Sequence, residues 1–202
     1  MSEFRQELGD RFRSVRWQEV LDEWRASEEK QWEPVFRERG FASWWEWRQS
    51  YLEELEVGKR EWKEVRVHRP HVAIPGLVIG GYRGWKQYRP VGKDTATFAD
   101  VVRPVVEGER SYAGTPRVDV RTNTKVMELV GYLRDTSILV LRCPSLQVVL
   151  EGAHRCAATS VEAVDTGSRS KFVARLLFCE FDETERPLLE AFARDRQIRT
   201  KS

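Results

Sequence analysis

A chain of 202 residues is long enough to bury one well-formed core, with room for an appended subdomain. Its 34 basic and 32 acidic residues leave a net charge of +2, so no global field draws it onto nucleic acid or an anionic membrane, and an anion site must be built locally. Cys143, Cys156 and Cys179 are odd in number and lack metal-ligand spacing, so no zinc site is readable and free thiols in a reducing compartment are expected. The N-terminal Met1-Ser2-Glu3-Phe4 alternates charged and apolar residues, unlike a signal peptide, and no apolar run approaches the ~18 residues needed to cross a bilayer. A cytoplasmic location without a membrane partner is therefore the expectation.

In chain order, Phe4, Leu8, Phe12, Val15, Val20 and Trp24 recur at near-helical spacing with charges between them, which predicts a long amphipathic helix. Pro34 is expected to break it, leaving a short turn of helix that ends at Gly40. Ser43-Trp44-Trp45-Glu46 has the pattern of a capping box and starts a helix to about Leu55. Seven of the eight tryptophans fall within residues 17–62, and so many large rings must pack on something. We read residues 1–61 as a Trp-rich helical extension that clamps onto an α+β domain, residues 62–202.

Alternation from Trp62 to Val72 predicts a strand, ended or confined to an edge by Pro70, with His68 and His71 at the surface. Residues 74–86 hold four glycines in nine residues, with neither dinucleotide nor P-loop spacing, and read as a lid carrying Tyr82, Arg83 and Trp85 over a pocket. Thr97 is placed to cap a short helix through Val102. Arg110, Arg117 and Arg121 read as a solvated charged face. A helix from Lys125 to Arg134 and strands at Ser137–Arg142, Leu146–Leu150 and Phe172–Phe181 complete the pattern.

Between the second and third of those strands lies Glu151-Gly152-Ala153-His154-Arg155-Cys156-Ala157-Ala158, an apolar run joined to an alanine-rich helix through one glycine. A glycine at such a turn lets the backbone approach a ligand, the first N–H groups of the helix point outward, and His154 and Arg155 add donors beside the positive end of the dipole. Arg155 has two roles open to it, gripping a phosphate or pairing with Glu151 to fix the turn, and a carboxylate can hold the guanidinium ready in the free protein.

The octet resembles the Gly-x-His-Arg signature of the ParB/sulfiredoxin superfamily, and the order helix, strand, strand, signature, helix, strand over residues 115–182 is similar to that family. The resemblance implies a small mixed sheet with helices in which Gly152, Ala153, His154 and Arg155 bind the phosphates of a nucleotide and Lys125 reaches them from the preceding helix. It implies a nucleoside triphosphate, ATP or CTP, with Mg²⁺ as cofactor. Family activities span thiol repair, CTP hydrolysis and phosphorylation of a small molecule. Glu151 and His154 are then the catalytic candidates, Glu151 as a Mg²⁺ ligand or as a base toward a hydroxyl acceptor; two-metal chemistry would need a further carboxylate such as Asp119. Sulfiredoxins carry their reactive cysteine where this chain has Ala153, which argues against thiol repair. ParB proteins append a helix-turn-helix, and the roughly 20 residues after Asp182 leave no room for one, which argues against a nucleic-acid partner. A different expectation is a catalytically silent interaction module, its Trp-rich helices holding a partner or a second copy of the chain.

Overall fold

The computed structural model describes residues 12–165 and 172–195. It is an α+β fold in which seven α-helices, among the described residues, surround one six-stranded mixed sheet. The strands are β1 (Arg13–Val15), β2 (Trp62–Val67), β3 (Val78–Ile79), β4 (Thr136–Cys143), β5 (Leu146–Glu151) and β6 (Ala174–Glu180), in the order β1-β2-β6-β4-β5-β3. β4 and β5 form an antiparallel hairpin, β6 lies parallel to β4 and antiparallel to β2, and β3 runs parallel to β5. The helices are α1 (Trp17–Glu38), α2 (Trp44–Leu52), α3 (Pro70–Ala73), α4 (Phe98–Val102), α5 (Thr124–Leu129), α6 (Ala153–Asp165) and α7 (Arg186–Arg194).

Successive strand residues alternate faces, so each central strand feeds two cores. Ile138, Val140, Val149, Leu176 and Phe178 meet Cys156, Ala157 and Val161 of α6 on one side. Leu139, Leu141, Val148, Leu150 and Leu177 face α1 and α2 on the other, where Trp24, Trp44, Trp47 and Trp62 are buried and Trp17, Trp32 and Trp45 pack against them. The tryptophan-rich helices thus lie on the sheet as a layer of its core. Rings of this size bury about 150–250 Å² each.

The structure departs from the sequence pattern at several points. Residues 1–11 of the expected first helix lie outside the described residues, and Arg13–Val15 is a strand rather than a helix because it pairs with β2, Arg13 opposite Glu64. Pro34 does not break α1, which continues to Glu38. Only one turn follows the proline and the carbonyl it leaves unpaired, on Lys30, is in an exposed residue, so water satisfies it. The helix stops at Gly40 (φ +80°), where Phe41 N–H reaches back to the Phe36 carbonyl (3.0 Å). Ser43 caps α2 by accepting from Glu46 N–H (3.1 Å), while the Glu46 carboxylate takes Ala42 N–H (2.7 Å). Thr97 and Asp100 make the capping box of α4. β2 ends at Val67, and Pro70 opens α3 from its first turn, where a missing N–H costs nothing. α5 is shorter than expected, ending at Leu129 ahead of Gly131 (φ +78°).

Of the three arginines read as a solvated face, Arg110 is exposed, whereas Arg121 is half-buried and Arg117 buried. Arg117 is buried and donates to the carbonyls of Tyr88 (3.0 Å), Val101 (2.8 Å) and Arg103 (2.8 Å) and to Glu109 (2.9 Å). Arg121 bridges Asp119 and Asp165, and Arg110 donates to the Gly114 carbonyl. Arg117 holds the irregular segment between α4 and α5 against α4, and the fully buried Arg89, which donates to the Ala193 carbonyl (2.9 Å), ties the segment before α4 to α7. Buried carbonyls need donors, and a guanidinium supplies several at once.

Candidate functional site

β5 ends at Glu151 and α6 begins at Ala153, so Gly152 alone turns the chain. Its φ is +98°, and a Cβ there would sit 3.2 Å from Ile138 Cγ1 and 3.3 Å from Arg155 Nη2. Glycine is therefore required twice over, by the dihedral and by the closeness of the guanidinium. The first helical bond runs from Cys156 N–H to the Gly152 carbonyl (2.9 Å), which leaves the N–H groups of the first turn without intrahelical partners.

The Arg155 guanidinium folds back onto the preceding strand and donates through Nη2 to the Glu151 carboxylate; its buried Nε has no partner among the described residues. Of the two roles open to Arg155 in the sequence, the structure displays the pairing that fixes the turn. The pair is still reachable, with Arg155 27 % and Glu151 16 % exposed, and both line a cleft of about 320 Å³ together with Trp24 and Ser27 of α1, Ser137 of β4 and Arg175 of β6.

Behind Glu151 the charges continue. The Glu28 charge from α1 acts on the Glu151 carboxyl, and Glu28 is in turn ion-paired with Arg48 of α2. Arg48 also donates to Tyr51 Oη (2.6 Å), and its guanidinium lies 4.2, 5.2 and 5.5 Å from the ring centres of Trp47, Trp24 and Trp44. A line of charges, Arg155, Glu151, Glu28 and Arg48, thus runs from the motif into the aromatic layer. Burial pushes the Glu151 carboxyl up to about 7; Arg155 and Arg48 oppose the rise and the Glu28 carboxyl adds to it.

His154 sits on the opposite side of the turn, edge-on to Trp85 with ring centres 5.2 Å apart. Burial holds its imidazole down at about 4, and the positive charges of Lys125 and Arg155 act in the same direction. At neutral pH it is therefore a neutral hydrogen-bonding group. Lys125 is exposed in the first turn of α5, its Nζ 6.0 Å from the centre of the Trp32 ring. His154 and Arg155 share the helix start, and Lys125 is close enough for its charge to act on His154. Asp119 is not: its partner Arg121 also pairs with Asp165 at the far end of α6, about 18 Å along the helix axis from the turn.

The segment expected to form a lid is core. Val78–Ile79 pairs with β5, Trp85 is buried against Tyr88 and Phe98 as well as His154, and Tyr82 Oη donates to the Leu150 carbonyl. A Cβ at Gly80 would lie 2.6 Å from the Val149 carbonyl, so the glycine there serves close packing against β5. Cys143, Cys156 and Cys179 are free and buried, and burial pushes the Cys156 and Cys179 thiols well above their ordinary range.

Glu28 and Arg48 escape a motif-based reading, although a signal exists. Glu28 falls on the Val20, Trp24, Trp32 row of α1 at four-residue spacing, and Arg48 falls between Trp44 and Tyr51 on the buried row of α2. Each is a charge at a position where helical periodicity calls for an apolar side chain, and the two are of opposite sign. Comparison with known protein families, with characterised proteins and with solved structures finds no match for this chain.

Chemically, the groups near the helix start suit an anion: free peptide N–H groups and the Arg155 guanidinium lie there, and Lys125 is close enough for its charge to act on His154. They do not suit a resident Mg²⁺, because the two nearby carboxyls, Glu151 and Glu28, are each paired with an arginine. A metal at this place would arrive with the phosphates that need it.

Proposed function

We propose that this chain is a ParB/sulfiredoxin-like nucleotide-binding protein that holds the phosphates of a nucleoside triphosphate, ATP or CTP, at the start of α6. The observation that carries the reading is the Gly152 turn at φ +98°, which leaves the first-turn N–H groups free beside Arg155, with Lys125 close enough to act on His154. In this reading Gly152, Ala153 and His154 supply N–H donors, and Arg155 exchanges its bond to Glu151 for one to phosphate. Lys125 adds a second positive charge. The His154 ring, neutral at pH 7, donates or accepts a hydrogen bond without competing for a proton. Glu151 is the base of the site: a carboxyl near 7 is matched to taking a proton from a hydroxyl acceptor in phosphoryl transfer to a small molecule. Mg²⁺ enters with the triphosphate. Titration with ATP, CTP and GTP, with and without Mg²⁺, tests the assignment, and Arg155→Ala should weaken binding about 10- to 150-fold, the range for one charge-assisted hydrogen bond. Absence of binding to all three would refute it.

The interaction-module reading draws on the same helices. Its support would be aromatic surface free for a partner or a second copy of the chain, and the seven tryptophans within residues 17–62 are packed on the sheet or on one another.

A further inference from the structure

β1 delivers the chain to the end of the sheet where β2 begins, and α1 returns from there toward the end where α6 begins, so its tryptophans fall at different places along the sheet. Trp17 belongs to the far end, stacked on Trp62 (ring centres 5.3 Å apart, planes 27° apart) and next to Trp45. Trp24 lines the cleft that holds Glu151 and Arg155. Trp32 lies two turns further on the same row of α1, about 12 Å along the helix axis. Its ring packs on Trp47 (ring centres 5.7 Å apart), and the Lys125 ammonium of α5 lies over it at 6.0 Å.

That distance is the outer limit of a cation–π contact, and Lys125 is exposed and makes no ion pair among the described residues. Trp32 is thus a half-buried indole, held from its own layer by Trp47 and covered by a cation that a phosphate would draw away. Two other rings near the turn serve less well. Trp85 is buried beside His154, and Tyr132, although exposed in the turn after α5, packs on no other ring among the described residues.

We propose that Trp32 is the base platform of the nucleotide site: Lys125 turns to the phosphates, and the nucleobase takes its place over the Trp32 ring. This rests on the nucleotide reading given above. Every base has a π face, so such a platform accepts adenine, cytosine and guanine alike and reads none of them by its hydrogen-bonding edge. The Trp-rich extension then supplies one wall of the ligand site as well as a layer of the core.

Calorimetric titration of the full chain with ATP, CTP and inorganic tripolyphosphate, a probe with phosphates and no base, tests the assignment. Trp32→Leu keeps an apolar side chain against Trp47 and lacks the π face. It should raise Kd for ATP and CTP about 5- to 150-fold, the range for one base stacked on an aromatic ring, and change Kd for tripolyphosphate less than about twofold. Trp32→Tyr should restore most of the lost affinity. If Trp32→Leu fails to fold, indole emission of wild type against Trp32→Phe carries the test: nucleotide should quench the Trp32 component and tripolyphosphate should not, and equal quenching of the two proteins by nucleotide overturns the platform. Trp32→Leu that binds ATP as wild type does, or loses tripolyphosphate in step with ATP, overturns the platform and leaves the phosphate site standing. So does a nucleotide-specific loss that appears in Tyr132→Ala instead. Failure of wild type to bind tripolyphosphate and both nucleotides overturns the phosphate site and the platform with it.

Discussion

Removing Arg155 should cost more stability at pH 8 than at pH 5, and the size of the difference follows from what Glu151 is at each pH. With its carboxyl near 7, Glu151 is an anion at pH 8, and Arg155→Ala deletes a charge-assisted hydrogen bond of about 1.5–3 kcal/mol. Both side chains are partly exposed, which places the loss at the lower end of that range, near 1.5–2 kcal/mol. At pH 5 the carboxyl is protonated, and the same substitution removes a hydrogen bond to a neutral group, about 0.5–1 kcal/mol. Lost packing of the arginine stem and the better helix propensity of alanine contribute equally at both pH values, so the difference isolates the ion pair. For a chain of this length 1 kcal/mol is about 2–4 °C in Tm. Denaturant unfolding of wild type, Arg155→Ala, Glu151→Gln and the double variant at the two pH values measures it, and the pH difference should vanish when Glu151 is already glutamine. An equal loss at pH 5 and pH 8, or a larger one at pH 5, would refute the titration assigned to Glu151.

Other consequences are separable. Gly152→Ala should lose about 1–3 kcal/mol, since any residue with a Cβ is strained at φ +98° and would press on Ile138 and on the Arg155 guanidinium; a loss under about 0.5 kcal/mol by denaturant unfolding would contradict the turn geometry. Glu151, held near 7, makes stability fall as pH rises from about 4.5 to 7. His154, held near 4, makes it rise as pH climbs from about 4 to 6.5, because the unfolded chain then binds the extra proton. The two slopes oppose, so Glu151→Gln should leave a stability that increases with pH in that window and His154→Gln one that decreases, and parallel profiles would refute both. Arg48→Ala strands the buried Glu28 carboxylate and should cost about 3–5 kcal/mol, with Glu28→Leu/Arg48→Met recovering much of the loss in the same unfolding assay. Cys143, Cys156 and Cys179 should react with a thiol reagent at neutral pH only after unfolding; fast modification of native Cys156, blocked by nucleotide, would instead place a thiol at the ligand.

What could be read from the sequence tracks how local the determining interaction is. Strands β4, β5 and β6 are apolar runs bounded by turn residues, and the starts of α2 and α4 rest on hydrogen bonds spanning three residues, Ser43 to Glu46 and Thr97 to Asp100, so each was visible in a short window. The Gly152 turn belongs to the same class. β1 was not legible because nothing in Arg13-Ser14-Val15 distinguishes a strand from a helix until the edge of β2 is available to pair with it. Arg117 looked like surface and Arg89 drew no reading because burial of a guanidinium depends on carbonyls that are distant in sequence, up to 104 residues away for Arg89 and Ala193.

The site shows the same division. Lys125, Gly152, His154 and Arg155 could be named as candidates because one motif and one helix carry them. Glu28 and Arg48 were missed because neither makes sense alone: an acid on the apolar face of α1 and a base on the apolar face of α2 each read as errors of periodicity. Set side by side on the same face of the sheet they cancel, and the Glu28 charge then acts on Glu151 at the end of β5. A buried ion pair is weak support for stability, since apolar residues of the same volume would fold as well or better. Two charges in a layer otherwise filled by tryptophan and leucine therefore call for a reason other than folding, and their action on the one carboxyl beside the phosphate-fitting turn supplies it. The aromatic helices are then the wall that fixes the proton affinity of Glu151. Substitutions inside that wall, at Trp24, which lines the cleft with Glu151, or at Trp47 behind it, are expected to shift the pH dependence of ligand binding.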